Sequence, residues 1–242
     1  MSGSRLTTLD ASFLEVESAS AHMHVGWAAR FAPPAGREAP EFGDLRDHVA
    51  RRMGRAPRYR QKLAPVPLQM HEPVWVDDTD FDVNRHVHRS PERDLGRLVD
   101  QVMSEQLGRD RPLWELWIAD DLADGGIGVI GKAHHAMVDG LAAVELATLL
   151  VDPTPDSSSP EPDGWLPART PDGVTLVKDA LVDRAGEVLG LARLPFELTR
   201  NPRRLAELAC DAVPSARALA DSLRAAAPRT CFNEPILSLI HI

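Results

Sequence analysis

The sequence predicts an α/β sandwich of sheet and helices. Three observations predict it: a period-two stretch over residues 22–32, a helical-period stretch over 41–55, and the interleaving of such stretches along the chain. The 242 residues suffice for a sizeable core, and the 43% apolar fraction is ordinary for a globular chain.

The elements follow in order. Over 22–32, Met23, Val25, Trp27 and Ala29 alternate with His24, Gly26, Ala28 and Arg30, which predicts a strand. Pro33, Pro34 and Gly36 break it. Over 41–55, Leu45, Val49 and Met53 share one helical face. Residues 73–77 read as a short strand. Residues 92–107 read as a helix burying Leu95, Leu98, Val99, Val102, Met103 and Leu107. A strand at 113–119 and another at 127–134 flank the turn signal Asp124-Gly125-Gly126. Residues 139–151 return to helix. Residues 153–172, rich in Pro, Ser and Asp, read as a linker, and the stretch from 173 onward reads as helical.

Composition excludes several roles. A net charge of −9, spread without long runs of one sign, argues against a nucleic-acid partner. Arg51, Arg52, Arg55, Arg58, Arg60 and Lys62 form a local basic cluster, read first as a solvated helix end and second as a phosphate contact. Two cysteines, Cys210 and Cys231, make no disulfide framework. There is no basic-then-apolar leader and no apolar run of roughly 18 residues. The expected location is cytoplasmic, with peripheral contact to a membrane or lipid-droplet surface left open.

The chemistry concentrates at His134-His135-Ala136-Met137-Val138-Asp139-Gly140. The two histidines fall where a strand ends and a helix begins, a rigid scaffold with an accessible tip. An imidazole there suits a general base. Strand neighbours point to opposite faces, so one ring meets a given cavity and the other is packed or bonded to backbone. Asp139 either caps the following helix or supports the site from behind, and Gly140 permits a tight turn. Adjacent buried histidines or metal ligands are the competing readings. Neither HExxH nor a Cys/His cluster accompanies the pair, and the alternating pairs His22/His24 and His86/His88 are weaker metal candidates.

The segment KAHHAMVDG resembles the HHxxxDG signature of CoA-dependent acyltransferases. LDASFLEVESASAHMHVGW at 9–27, EPVWVDDTDFDVNRHV at 72–87 and RPLWELWIADDL at 111–122 narrow that resemblance. They are similar to the bacterial wax ester synthase/diacylglycerol acyltransferase family, over about residues 6–236. The resemblance implies a chloramphenicol acetyltransferase-like two-layer sandwich, one of two domains, followed by a helical connector. It implies transfer of a long-chain acyl group from CoA to diacylglycerol or a fatty alcohol. His135 would be the general base, His134 its support, and Asp139 and Gly140 structural. Acyl-CoA enters as substrate, and no cofactor or metal is implied. Pro112 and Trp114 of the PLW-type motif either shape an acyl channel or pack the core. A condensation-type or polyketide-linked acyltransferase and a non-catalytic lipid-surface module are the alternatives.

The same resemblance sets the expected organisation: an acyltransferase domain over 1–152, the linker, a connector over 173–236, and a second domain that the chain lacks. The chain alone is then expected to be inactive or nearly so. Leu237 to Ile242 translates CTGTCTCTTATACACATC, the end sequence of a transposase-based sequencing adapter. Residues 237–242 are therefore expected to carry no function.

Overall fold

A computed structural model describes residues 4–33, 36, 39–138, 151 and 164–200. They belong to two units, Met1–Gly173 and Val174–Ile242. The first holds a four-stranded sheet in the order β1-β6-β5-β4, built from β1 (His24–Phe31), β4 (Val87–Arg89), β5 (Trp114–Ala119) and β6 (Ile127–His134). β6 runs antiparallel to both neighbours, and β4 runs parallel to β5. A separate antiparallel pair joins β2 (Gln61–Ala64) to β3 (Val74–Asp77). Among the described residues of this unit there are three α-helices: α1 (Thr8–Val16), α2 (Phe42–Arg52) and α3 (Leu95–Met103). In the second unit only α4 (Gly173–Arg200) is described.

β6 is the central strand and is buried along its whole length. Alternation divides its side chains between two cores. Ile127, Val129 and Ala133 join Trp114, Leu116 and Ile118 of β5 in a cluster that includes Val49 and Met53. Ile130 and Ala119 meet Leu98 and Val102 of α3 in the second cluster. Gly131 has a steric task. A methyl group there would lie 2.5 Å from the indole of Trp27, its cross-strand partner, so the ring rests directly on the β6 backbone.

The helices start where the sequence supplies caps. Thr7 Oγ1 accepts the Asp10 N–H at the start of α1, and the Asp94 carboxylate accepts the Arg97 N–H at the start of α3. Lys132 accounts for the other end of α3. Its buried amine donates to the carbonyls of Val102 at 2.9 Å and Glu105 at 3.0 Å and faces Glu115 at 3.4 Å. The helix expected over 92–107 therefore ends at Met103.

Other expectations need adjustment. The helix expected over 41–55 ends at Arg52 and tightens into a 3₁₀ turn at Met53–Arg55. α1, β2 and β4 were not anticipated. The basic cluster is not a uniformly solvated helix end. Arg52 and Arg60 are buried, Arg58 and Arg60 lie over the rings of Trp75 and Trp165, and Lys62 binds Asp78 at 2.7 Å. Guanidinium planes tolerate such burial because they stack on aromatic faces. Within the stretch read as linker, Trp165 packs edge-on against Phe81, and the Ala168 N–H donates to Asp77. The helix expected at 139–151 lies outside the described residues apart from Val151. Asp139, Gly140 and residues 201–242, including the 237–242 tail, lie outside them too.

Candidate active site

β6 delivers the two histidines to its C-terminal end, and the neighbouring strands hold them by main chain. The His134 N–H donates to the Leu113 carbonyl at 2.9 Å, and the His135 N–H donates to the Met23 carbonyl at 2.7 Å. The chain then turns at once, with the Met137 N–H donating to the His134 carbonyl at 2.9 Å. These three bonds are made by main chain, and the His134 ring adds a further bond to the turn.

The two rings have different surroundings. His134 is fully buried on the α3 side of the sheet. Its Nδ1 accepts the Ala136 N–H at 3.0 Å, so the proton of the neutral ring sits on Nε2. That nitrogen lies 3.6 Å from Glu17 Oε2. Burial pushes the His134 imidazole below its ordinary range, with the Glu17 carboxylate opposing. His135 is half-buried and stacks on Phe13 of α1, with ring centroids 3.9 Å apart. Its Nδ1 meets no hydrogen-bond partner among the described residues. Of the pair, only His135 combines partial exposure with a ring not tied to the turn.

An ionic cluster lies behind His134, with the Glu17 side chain buried and Arg109 half-exposed. Arg109 donates from Nη2 and Nε to Glu17 Oε2 at 2.5 and 3.1 Å, and from Nη2 to the Leu14 carbonyl at 2.8 Å. Burial by itself would raise the Glu17 carboxyl. The Arg109 bond and the nearby positive charges outweigh it and hold the group below its ordinary value. His24 faces Glu17 Oε1 at 3.7 Å, and its Nε2 accepts the Leu107 N–H at 3.3 Å. Burial, with the charge of Lys132, pushes His24 down to about 4.

Trp114 takes the packing position of the two left open for it. It is fully buried, donates from Nε1 to the Tyr59 carbonyl at 2.8 Å, and stacks on His86 at 4.8 Å. Pro112 is buried beside Leu113, the residue whose carbonyl anchors His134. His86 and His88 do not act as a pair. His86 has a non-extended backbone (φ −125°, ψ −27°) and stacks between Phe81 and Trp114, whereas His88 packs on Trp117. The amides of Ala136 and Met137 are engaged by His134, so neither is free to stabilise an oxyanion. Phe13, Glu17 and Arg109 were not singled out from sequence. The available signal was the i, i+4 spacing of Phe13 and Glu17, which puts both on one side of a helix and its cap.

Comparison with known proteins gives one answer. The wax ester synthase/diacylglycerol acyltransferase catalytic domain matches residues 6–239. The probable diacylglycerol O-acyltransferase tgs3 of Mycobacterium tuberculosis is 30% identical over 242 residues, covering 96% of this chain and 88% of its own length. The probable diacylglycerol O-acyltransferase tgs1 of the same species is 38% identical over 155 residues, covering 61% of this chain and 33% of its own. Among solved structures, the wax ester synthase/diacylglycerol acyltransferase from Marinobacter aquaeolei VT8 aligns with a TM-score of 0.55 at 26% identity, over 76% of this chain and 46% of that one. The chain thus spans most of tgs3 but less than half of tgs1 and of the Marinobacter protein.

Proposed function

Because the chain belongs to the wax ester synthase/diacylglycerol acyltransferase family, we propose that it carries the catalytic histidine of a long-chain acyl-CoA-dependent O-acyltransferase, with His135 as general base. The acceptor is the hydroxyl of a diacylglycerol or a fatty alcohol. His135 takes the hydroxyl proton as the oxygen attacks the thioester carbonyl. The tetrahedral intermediate then collapses, the C–S bond breaks, and the proton on His135 passes to the departing CoA sulfur. Oxygen attacks directly, so no covalent enzyme intermediate is needed. No metal or cofactor has a part in these steps.

One observation carries the assignment of His135 over His134. The His134 ring is committed to the Ala136 amide, whereas His135 is half-buried, stacks on Phe13 and has no partner at Nδ1 among the described residues. His134 then supports the turn, and Asp139 and Gly140 are proposed to shape the loop beyond it. Among the described residues no helix is long and apolar enough to cross a membrane. Lipid acceptors are proposed to reach the site through peripheral contact with a membrane or droplet surface.

The test is release of free CoA from palmitoyl-CoA in the presence of dioleoylglycerol or hexadecanol. His135→Ala should lower turnover by roughly 10²–10⁴-fold. His135→Ala with undiminished turnover would overturn the assignment. Turnover only with an acyl group on a carrier protein would move the chain to the condensation-type reading.

A further inference from the structure

We propose that Glu17 is a positioning residue that holds the His134 ring in the tautomer closing the turn on which His135 stands. The proposal rests on the catalytic reading of His135 above. Glu17 sits just past the end of α1, and its side chain is 4% exposed. Arg109 grips Oε2 with two N–H groups and the Leu14 carbonyl with one of them, which fixes both the carboxylate and the last turn of α1. The carboxylate is therefore fixed in place, its side chain buried and its Arg109 partner half-exposed, with Oε2 turned to the neighbouring ring.

Two imidazoles face that charge, and only one presents a proton to it. The Nε2 of His24 spends its single lone pair on the Leu107 N–H, so it has no proton to offer Glu17 Oε1, 3.7 Å away. The Nδ1 of His134 accepts the Ala136 N–H, so its Nε2–H lies on the carboxylate side, 3.6 Å from Oε2. Neither His134 Nε2 nor Glu17 Oε1 has a hydrogen-bond partner among the described residues. A fixed negative charge beside Nε2 favours the Nε2–H form over the Nδ1–H form. Only the Nε2–H form can accept from Ala136. The same helix carries Phe13, which stacks on His135. One arginine grip on α1 thus sets the ring behind the turn and the ring that covers its catalytic side.

The test uses the full chain labelled with ¹⁵N-histidine, with ring tautomers read from long-range proton–nitrogen correlations. Wild type should show His134 as a single Nε2–H form. Glu17→Ala should show a mixture of both forms, with kcat lowered about 10-fold and KM changed less than twofold. Glu17→Gln, which keeps one oxygen acceptor but removes the charge, should hold the Nε2–H form only in part and recover only part of kcat. Arg109→Gln releases the grip without touching the pair and should loosen the same ring if Glu17→Ala folds poorly. An unchanged His134 tautomer in Glu17→Ala and Arg109→Gln overturns the proposal. So does unchanged kcat in Glu17→Ala when His135→Ala abolishes turnover. If wild type shows no His135-dependent turnover, the catalytic reading has failed, and the tautomer measurement still decides the role of Glu17.

Discussion

Acidification from pH 7.5 to 4.5 should remove about 2.5 kcal/mol of stability from the first unit through His24 alone. The ring is buried, accepts the Leu107 N–H, and stands among Glu17, His22, Lys132 and His134. Burial is the main cause of its depression to about 4 from an ordinary 6.5, and Lys132 and His22 add to it. The sign follows from proton counting. Between these two values the unfolded chain holds a proton on His24 and the folded chain does not. Stability is therefore full above pH 6.5, falls as pH drops through the window, and levels off below 4. The whole effect is about 3.4 kcal/mol, with a slope reaching about 1.2 kcal/mol per pH unit. Urea unfolding followed by tryptophan fluorescence reads it, because all five tryptophans lie in the first unit. His24→Gln keeps an acceptor for the Leu107 amide but does not titrate. Wild type should lose about 2.5 kcal/mol more than His24→Gln between pH 7.5 and 4.5. Parallel pH profiles for the two proteins would refute the reasoning.

Two further substitutions probe the sheet. Gly131→Ala places a methyl group against the Trp27 indole and should cost about 1–3 kcal/mol in urea unfolding. Trp27→Leu in the same background should relieve most of that added cost, and a neutral Gly131→Ala would mean that the ring is freely displaced. Lys132→Met fits the space but strips a donor from two carbonyls and a cation from Glu115. It should cost about 3–5 kcal/mol and expose the end of α3 to hydrogen exchange, and a loss under about 1 kcal/mol would show the amine is dispensable.

The central part of the fold was legible in the sequence, because alternation and helical spacing report directly on which faces are buried. β6 was expected at 127–134 and is found there, and its neighbours β1 and β5 differ from expectation by at most two residues at an end. Short elements held by tertiary contacts were not legible. β4 is three residues long and is defined by its parallel pairing with β5. α1 did carry a local signature in Thr7 and Asp10, and its residues entered only through family resemblance. For the site, the sequence placed the histidine pair at a strand end, and the two rings have different surroundings. The sequence had no means of pairing Glu17 with Arg109, which lie 92 residues apart in it. Lys132 shows the same limit: its spacing on β6 says which face it points to, but not that its amine ends a helix 30 residues earlier in the chain.

The pairing of His24 with His134 also bears on how the protein is made. Translation at roughly 5–20 residues per second puts some 5–20 s between the synthesis of β1 and that of its strand partner. Until then Val25, Trp27 and the underside of α1 have no sheet to cover them. The nascent chain thus carries an unpaired eight-residue strand through most of the synthesis of the unit, a natural substrate for holding chaperones. The histidine pair, at the far end of β6, is framed only when that wait ends.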